Sequence, residues 1–65
     1  MKIFVNGEEK ESDSVTVLDL ISSYSLKPQG VAIECNGEVI SRESYGAVKI
    51  KNGDRIEILR FVGGG

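Results

Sequence analysis

The sequence predicts a small α+β domain in which one helix packs on one face of a single mixed β-sheet. Three observations predict it: short apolar stretches rich in strand formers, Asn–Gly pairs between them, and one segment with helical periodicity. A chain of 65 residues is long enough for one domain with one small core. An enclosed catalytic cleft is therefore not expected.

The first two strands are predicted at residues 2–6 and 8–12. Asn6–Gly7 between them favours a type I′ turn, because that turn needs positive φ at both central residues. The second strand is polar throughout, which is typical of an edge strand whose charges prevent pairing with other chains.

A helix is predicted after Thr16, which is a good N-cap, and Asp19 can approach the free N–H groups of the first turn. Leu18 widens an apolar stripe that follows the 3.6-residue period and consists of Val17, Leu20, Ile21 and Tyr24. We expect the helix to end between residues 22 and 26, because Pro28 prevents it from resuming.

Further strands are expected at residues 31–36, 38–40 and 56–62, with Asn36–Gly37 and Asn52–Gly53 as additional hairpin turns. Residues 41–46 are predicted to form a loop or a single helical turn. The last strand is apolar at nearly every position, so we expect it to be buried with neighbours on both sides. Pairing it parallel to the first strand gives the β-grasp arrangement of ubiquitin, with a mixed sheet of four to five strands and one helix.

Charge and hydropathy exclude several classes of partner. The net charge of −2 argues against a nucleic-acid-binding protein, which needs a basic face. No apolar stretch approaches the roughly 18 residues that cross a bilayer, and the first residues do not resemble a signal peptide. We therefore expect a cytoplasmic protein that contacts neither nucleic acid nor membrane.

Few side chains offer chemistry of their own. Cys35 is the only cysteine and shares a strand face with Val31 and Ile33, so we expect a buried, unreactive thiol. The chain has no histidine, and the acids of the second strand are expected to be solvated. We predict no catalytic residue, no metal site and no cofactor bound by the chain itself.

Elimination of these groups leaves the C-terminal glycines as the candidate site. We expect a domain over residues 1–62 followed by a flexible tail over residues 63–65. Glycine lacks Cβ, so Gly63 and Gly64 suit a thread through a narrow channel in a partner's active site. The carboxylate of Gly65 is then the reacting group. A frayed terminus without function is the competing interpretation.

The chain resembles the ThiS family of sulfur-carrier proteins of thiamine biosynthesis over essentially its full length. The stretches that carry this resemblance are residues 3–8, 15–21, 31–42 and 52–65, of which the last contains a Gly–Asp turn, an apolar strand and the terminal glycines. Many relatives carry proline near Ser41, and two glycines are the family minimum where this chain has three. Neither departure affects the final pair, Gly64–Gly65.

The resemblance implies a reaction at Gly65 that partner proteins carry out. A ThiF-like adenylating enzyme, using ATP and magnesium, converts the carboxylate to an acyl-adenylate. Sulfur from a cysteine desulfurase or another donor displaces AMP and leaves a thiocarboxylate. A ThiG-like thiazole synthase then takes the sulfur to build the thiazole ring.

The residues that lead into the tail are the predicted docking surface, because a partner that grips the tail must touch its root. They are Leu59, Arg60, Phe61 and Val62. Phe61 has an alternative role in which it closes the rim of the core. Arg55 and Arg60 are candidates for pairing with acids of the partner, with solvation favoured for Arg55.

Three other functions remain open from the sequence. The tail chemistry is the same for a carrier that delivers sulfur to another product, such as molybdopterin, a tungsten cofactor, cysteine or a siderophore, although molybdopterin carriers tend to be longer, which favours thiamine. The chain also fits a ubiquitin-like modifier that ends in an isopeptide bond, or a non-covalent interaction module with an idle tail.

Overall fold

The computed structural model describes residues 1–61. Its elements in chain order are β1 (Lys2–Val5), β2 (Glu8–Glu11), α1 (Val17–Ser23), β3 (Val31–Cys35), β4 (Glu38–Ile40) and β5 (Arg55–Arg60). Two single-turn 3₁₀ helices span Pro28–Gly30 and Arg42–Ser44, so the prediction of one helical turn within residues 41–46 is confirmed.

The five strands form one sheet in the order β2-β1-β5-β3-β4. β5 lies in the middle, parallel to β1 and antiparallel to β3, while both hairpins are antiparallel. This is the predicted β-grasp topology with a mixed sheet and one helix. The parallel pairing of first and last strands is the feature that places the C-terminal strand at the centre.

The core lies between α1 and the face of the sheet that the helix covers. Its buried side chains come from every strand except the edge strands, from the helix and from the segment after β4: Ile3, Val5, Val17, Leu20, Ile21, Val31, Ile33, Tyr45, Ile50, Ile56 and Ile58. In each strand these residues alternate with exposed or half-buried ones, as the two-residue period of a strand requires.

A capping box begins the helix, as Thr16 and Asp19 predicted. The Thr16 hydroxyl accepts from the Asp19 N–H at 3.1 Å, and the Asp19 carboxylate accepts from the Thr16 N–H at 3.1 Å. Because both bonds satisfy N–H groups that have no helical partner, they fix the start of α1 at Val17.

The helix ends with Ser25 in the left-handed region at φ 60°. The Ser25 N–H donates to the Ser22 carbonyl and the Leu26 N–H to the Ile21 carbonyl, which is a Schellman motif. Tyr24 is the C-cap and is 39% exposed, so its predicted place on the buried stripe is wrong. The last helical residue is Ser23, so Tyr24 lies one residue beyond the helix whose stripe it was expected to extend.

Tyr45 belongs to the core, although it lies in a polar stretch between the 3₁₀ turn and β5. Its side chain is 3% exposed, and its hydroxyl donates to the buried carbonyl of Val31 at 3.3 Å. Its own carbonyl accepts from Leu18, so this stretch is fastened to the first turn of α1.

β5 has a neighbouring strand on each side, as predicted, but it ends at Arg60 and is not buried along its whole length. Only Ile56 and Ile58 are buried, whereas Glu57 and Leu59 are exposed. The reason is that the one helix covers one face of the sheet and leaves the other face to solvent. None of the helices within residues 1–61 is long and apolar enough to cross a bilayer.

Candidate functional site at the root of the C-terminal tail

The predicted reacting group, Gly65, and the whole predicted tail over residues 63–65 lie outside the described residues. Val62, the last residue of the predicted domain and of the predicted docking surface, also lies outside them, as does the predicted boundary between domain and tail. The structure does describe Leu59, Arg60 and Phe61, the last residues before them, which we call the tail root.

The tail root presents side chains on both faces of the sheet. Leu59 and Phe61 share the face opposite the helix and are 59% and 57% exposed. Arg60 lies on the helix side. Phe61 belongs neither to the core nor to the partly buried side chains packed against it. The choice between docking a partner and closing the rim of the core stays a prediction for Phe61. The prediction that these residues dock a partner remains a prediction.

On one side, β3 supports the tail root up to its last residue. Arg60 lies opposite Val31, and the Phe61 N–H donates to the Gly30 carbonyl at 2.9 Å. This antiparallel pairing continues one residue past the end of β5.

On the other side, β1 ends before the tail root begins. Its main-chain pairing with β5 extends to Ile56, whose carbonyl accepts from the Asn6 N–H at 2.9 Å. The Asn6 side chain then continues the pairing. Its Oδ1 accepts from the Ile58 N–H at 2.7 Å, and its Nδ2 donates to the Ile58 carbonyl at 3.3 Å. Sequence reasoning placed Asn6 at the end of the first strand and in the turn, and it missed this contact.

Asn36 makes a related contact at the opposite end of β5. Its Oδ1 accepts from the Arg55 N–H at 2.9 Å, and its Nδ2 donates to the side-chain carboxylate of Asp54 at 3.0 Å. Both Asn6–Gly7 and Asn36–Gly37 have positive φ at both residues, which confirms two type I′ turns. The two turns thus place one asparagine at each end of the central strand.

The third Asn–Gly pair is not a hairpin turn, contrary to the prediction. At Asn52–Gly53 only the glycine has positive φ, and the turn leads into β5 from a segment that is not a strand. Asn52 instead accepts from the Lys2 N–H at 2.8 Å and ties this turn to β1.

A cleft of about 380 Å³ adjoins the tail root on the helix side. It is open to solvent and lies between the β1–β2 hairpin, the end of the helix and β5, and its lining residues are Val5, Asn6, Glu8, Lys10, Tyr24, Leu26, Ile58 and Arg60. Its floor is apolar, and its rim carries the Lys10–Glu8 ion pair at 3.3 Å and the guanidinium of Arg60. Such a lining suits contact with a protein surface.

Comparison of the sequence with known protein families identifies the family of this chain. Residues 3–65 match the profile of the ThiS family. The chain belongs to the ThiS family.

Two relatives of the family extend this assignment. A protein of Bacillus subtilis called sulfur carrier protein ThiS is 41% identical, over 94% of this chain and 96% of its own length. The crystal structure of thiamine biosynthesis protein ThiS from Geobacter metallireducens superimposes with a TM-score of 0.84 at 38% identity, and each chain is covered completely. Both are small proteins of the same extent as this chain.

A third relative is much longer. A thiazole synthase of Magnetococcus marinus is 42% identical over all of this chain, but this chain spans only 20% of that protein's length. A segment similar to a ThiS-family domain therefore occurs inside a larger polypeptide of that name.

Cys35 is less buried in this ThiS-family domain than the sequence predicted. The side chain is half-buried at the end of β3, packed against the core. Burial raises the pKa of the Cys35 thiol, and the carboxylates of Asp54 and Glu38 raise it further. A thiol with a raised pKa is a poor nucleophile at neutral pH. We therefore still expect Cys35 to be unreactive, because of its raised pKa and not because of complete burial.

The charged residues near the hairpin pair with one another. Glu9 lies 3.4 Å from Lys2, and Glu11 lies 3.6 Å from the N-terminal ammonium group.

Arg55 packs its guanidinium 4.7 Å from the centre of the Phe4 ring, so it is a cation–π partner as well as a solvated charge. Within residues 1–61, no three potential ligand side chains converge to hold a metal ion.

Proposed function

We propose that this chain is a sulfur carrier of thiamine biosynthesis whose reacting group is the carboxylate of Gly65. The observation that carries the proposal is the family match over residues 3–65, which includes the glycine tail. The 41% identity to a sulfur carrier protein ThiS over nearly its whole length supports it.

The chemistry follows from the properties of a carboxylate. A carboxylate is a poor electrophile, so a ThiF-like enzyme that uses ATP and magnesium first converts it to a mixed anhydride with AMP. This step releases pyrophosphate. Hydrosulfide then attacks the activated carbonyl carbon and expels AMP, which leaves a thiocarboxylate on Gly65 after loss of a proton. A persulfide donor such as that of a cysteine desulfurase forms an acyl disulfide instead, and a thiol must reduce this disulfide to release the thiocarboxylate. The chain supplies the reacting atoms and a surface for docking, and the partner supplies the catalytic groups.

The proposed division of roles follows the chain. Residues 1–62 form the rigid domain that docks, Gly63 and Gly64 thread the partner's channel, and Gly65 reacts. A fully extended stretch of four residues, such as 62–65, would span about 13 Å, which is enough to carry the carboxylate into a recessed site. Leu59 and Phe61 are exposed apolar groups at the base of this thread, so we assign them the first contact with the partner, together with Arg60 and Val62.

We propose three partners: the ThiF-like adenylating enzyme, a cysteine desulfurase or other sulfur donor, and a ThiG-like thiazole synthase. The third has support from the thiazole synthase of Magnetococcus marinus, which contains a segment similar to this chain. Joining two interacting units in one polypeptide raises their effective concentration, and such fusions commonly join partners. Because the first step consumes ATP, we place the reaction in the cytoplasm.

Mass spectrometry of the intact chain tests the proposal. The purified chain is incubated with ATP, a ThiF-like enzyme and a sulfide source. We expect a product heavier by the difference between one sulfur and one oxygen atom, localised to a C-terminal fragment. A variant that lacks Gly64 and Gly65 is the control and should gain no mass.

Continued absence of the heavier species would refute the carrier role. Incubation with cell lysate and ATP separates the carrier from a ubiquitin-like modifier, because only a modifier produces covalent ladders. A growth test on medium without thiamine, with the gene deleted, decides between thiamine and another sulfur-requiring product.

A further inference from the structure

The tail root is held unequally by its two neighbouring strands. β3 supports it with main-chain bonds through Phe61. β1 turns away at Asn6–Gly7, and beyond Ile56 the contact on that side is made by the Asn6 side chain. We propose that Asn6 is a positioning residue for the C-terminal tail: its amide replaces the strand residue that β1 lacks and fixes the direction in which β5 delivers the tail.

The geometry of the amide suits this role. A carboxamide carries an acceptor oxygen and an N–H donor in one plane, the same pair of groups that a peptide unit offers. Oδ1 and Nδ2 of Asn6 engage the N–H and the carbonyl of the same residue, Ile58. One side chain thereby reproduces the two bonds that a neighbouring strand makes, two residues before Arg60.

The functional consequence rests on the proposed carrier function. A thread that must enter a narrow active site reacts efficiently only if its base points towards the entrance. Small displacements far from the reacting atoms are known to cost large factors in rate. With Asn6 in place, β5 is held on both edges up to Ile58 and on one edge up to Phe61.

Asn36 is a matched internal control. It occupies the same position of a second type I′ turn, and its amide accepts from the Arg55 N–H of β5 and donates to the side-chain carboxylate of Asp54. Those bonds lie at the end of the strand that is remote from the tail. Loss of either amide removes two hydrogen bonds, but only those of Asn6 adjoin the tail root.

The experiment compares Asn6→Gly with Asn36→Gly in the full chain. Glycine tolerates the positive φ of both positions, so each turn is retained while the amide is deleted. We expect similar losses of stability in the two variants. We expect kcat/KM for thiocarboxylate formation by the ThiF-like enzyme to fall about tenfold further in Asn6→Gly than in Asn36→Gly.

Backbone amide order parameters of Leu59, Arg60 and Phe61 provide a second measurement that needs no enzyme. They should fall in Asn6→Gly and stay at the wild-type value in Asn36→Gly. Asn6→Asp is a milder variant, because Asp–Gly also supports the turn and the carboxylate still accepts from the Ile58 N–H. It lacks the donor for the Ile58 carbonyl and should lie between wild type and Asn6→Gly.

Equal effects of Asn6→Gly and Asn36→Gly on kcat/KM and on order at the tail root would overturn the positioning role. If the wild-type chain is not converted to a thiocarboxylate, the carrier function fails. The order parameters then decide on their own whether Asn6 anchors the tail root.

Discussion

Glu34 of β3 and Glu57 of β5 lie directly opposite each other in the central antiparallel pair. Both project from the face of the sheet that the helix does not cover. Like charges in directly opposed positions destabilise a sheet. The repulsion between the two carboxylates lowers the stability of the central strand pair, and a substitution that removes one charge measures this effect.

Glu34→Gln should therefore stabilise the chain by about 0.2–1 kcal/mol, because it removes the repulsion and keeps the size of the side chain. Urea unfolding in low salt measures the change, and the gain should shrink in 1 M salt, where the Debye length is about 3 Å. Glu43→Gln, at an exposed position of the 3₁₀ turn, is the control and should have little effect. A loss of stability in Glu34→Gln would show that Glu34 makes a favourable interaction.

Tyr45 and Tyr24 offer a matched pair of phenols, one buried and one exposed. Tyr45→Phe leaves the buried Val31 carbonyl without this donor and should cost about 1 kcal/mol, whereas Tyr24→Phe should cost close to nothing. Thermal unfolding of the two variants measures the difference. Equal melting temperatures would mean that the Tyr45 hydroxyl contributes no net stability.

Ser25 adopts a left-handed conformation that favours glycine, so Ser25→Gly should raise the free energy of unfolding by about 1 kcal/mol. The backbone bonds of the Schellman motif do not depend on the side chain and should remain. Ser25→Ala keeps Cβ and its strain, and it should gain nothing. If both variants behave alike, the conformation of Ser25 carries no cost.

The raised pKa of Cys35 predicts both a slow thiol and an alkaline loss of stability. At pH 8 the folded chain should react with iodoacetamide more slowly than the chain unfolded in urea, because less thiolate is present. The folded state holds this proton to higher pH than the unfolded state does. The stability from this group is therefore complete below the ordinary cysteine pKa and is lost as pH rises through the raised value.

Cys35→Ser is the control, since it removes the titrating group. Its free energy of unfolding should fall less between neutral and alkaline pH than that of the wild-type chain. Faster alkylation of the folded chain than of the unfolded chain would contradict the raised pKa and would reopen the question of a reactive thiol.

Local sequence signals were sufficient for most of the fold. The capping box at Thr16 and Asp19 and the turns at Asn6 and Asn36 were predicted correctly, because each depends on residues close together in the chain. The parallel position of β5 followed from its apolar composition. Its expected neighbours on both sides were confirmed, but its expected burial holds only for Ile56 and Ile58, because composition does not reveal that a single helix covers only one face of the sheet.

The contacts that sequence reasoning missed join distant residues. Asn6 and Ile58 are 52 positions apart. The preference of type I′ turns for Asn–Gly already accounts for an asparagine at position 6, so the sequence gives no sign that its side chain also bonds to β5. The burial of Tyr45 in a polar stretch depends on the approach of residues 45–50 to the start of α1. At the tail, the family resemblance and the elimination of other reactive groups led to Gly65, which lies outside the described residues.

Phe61 provides the sharpest test of the docking surface, on the basis of the proposed carrier function. Because its side chain is 57% exposed, Phe61→Ala should change the stability by no more than about 0.5 kcal/mol. Loss of an apolar anchor at the base of the thread should lower kcat/KM for adenylation about tenfold, as truncation of a residue at the centre of an interface does. Val39→Ala, an exposed residue on the same face but on the edge strand β4, should alter neither quantity. A lower melting temperature for Phe61→Ala with unchanged adenylation would instead assign Phe61 to the support of the domain.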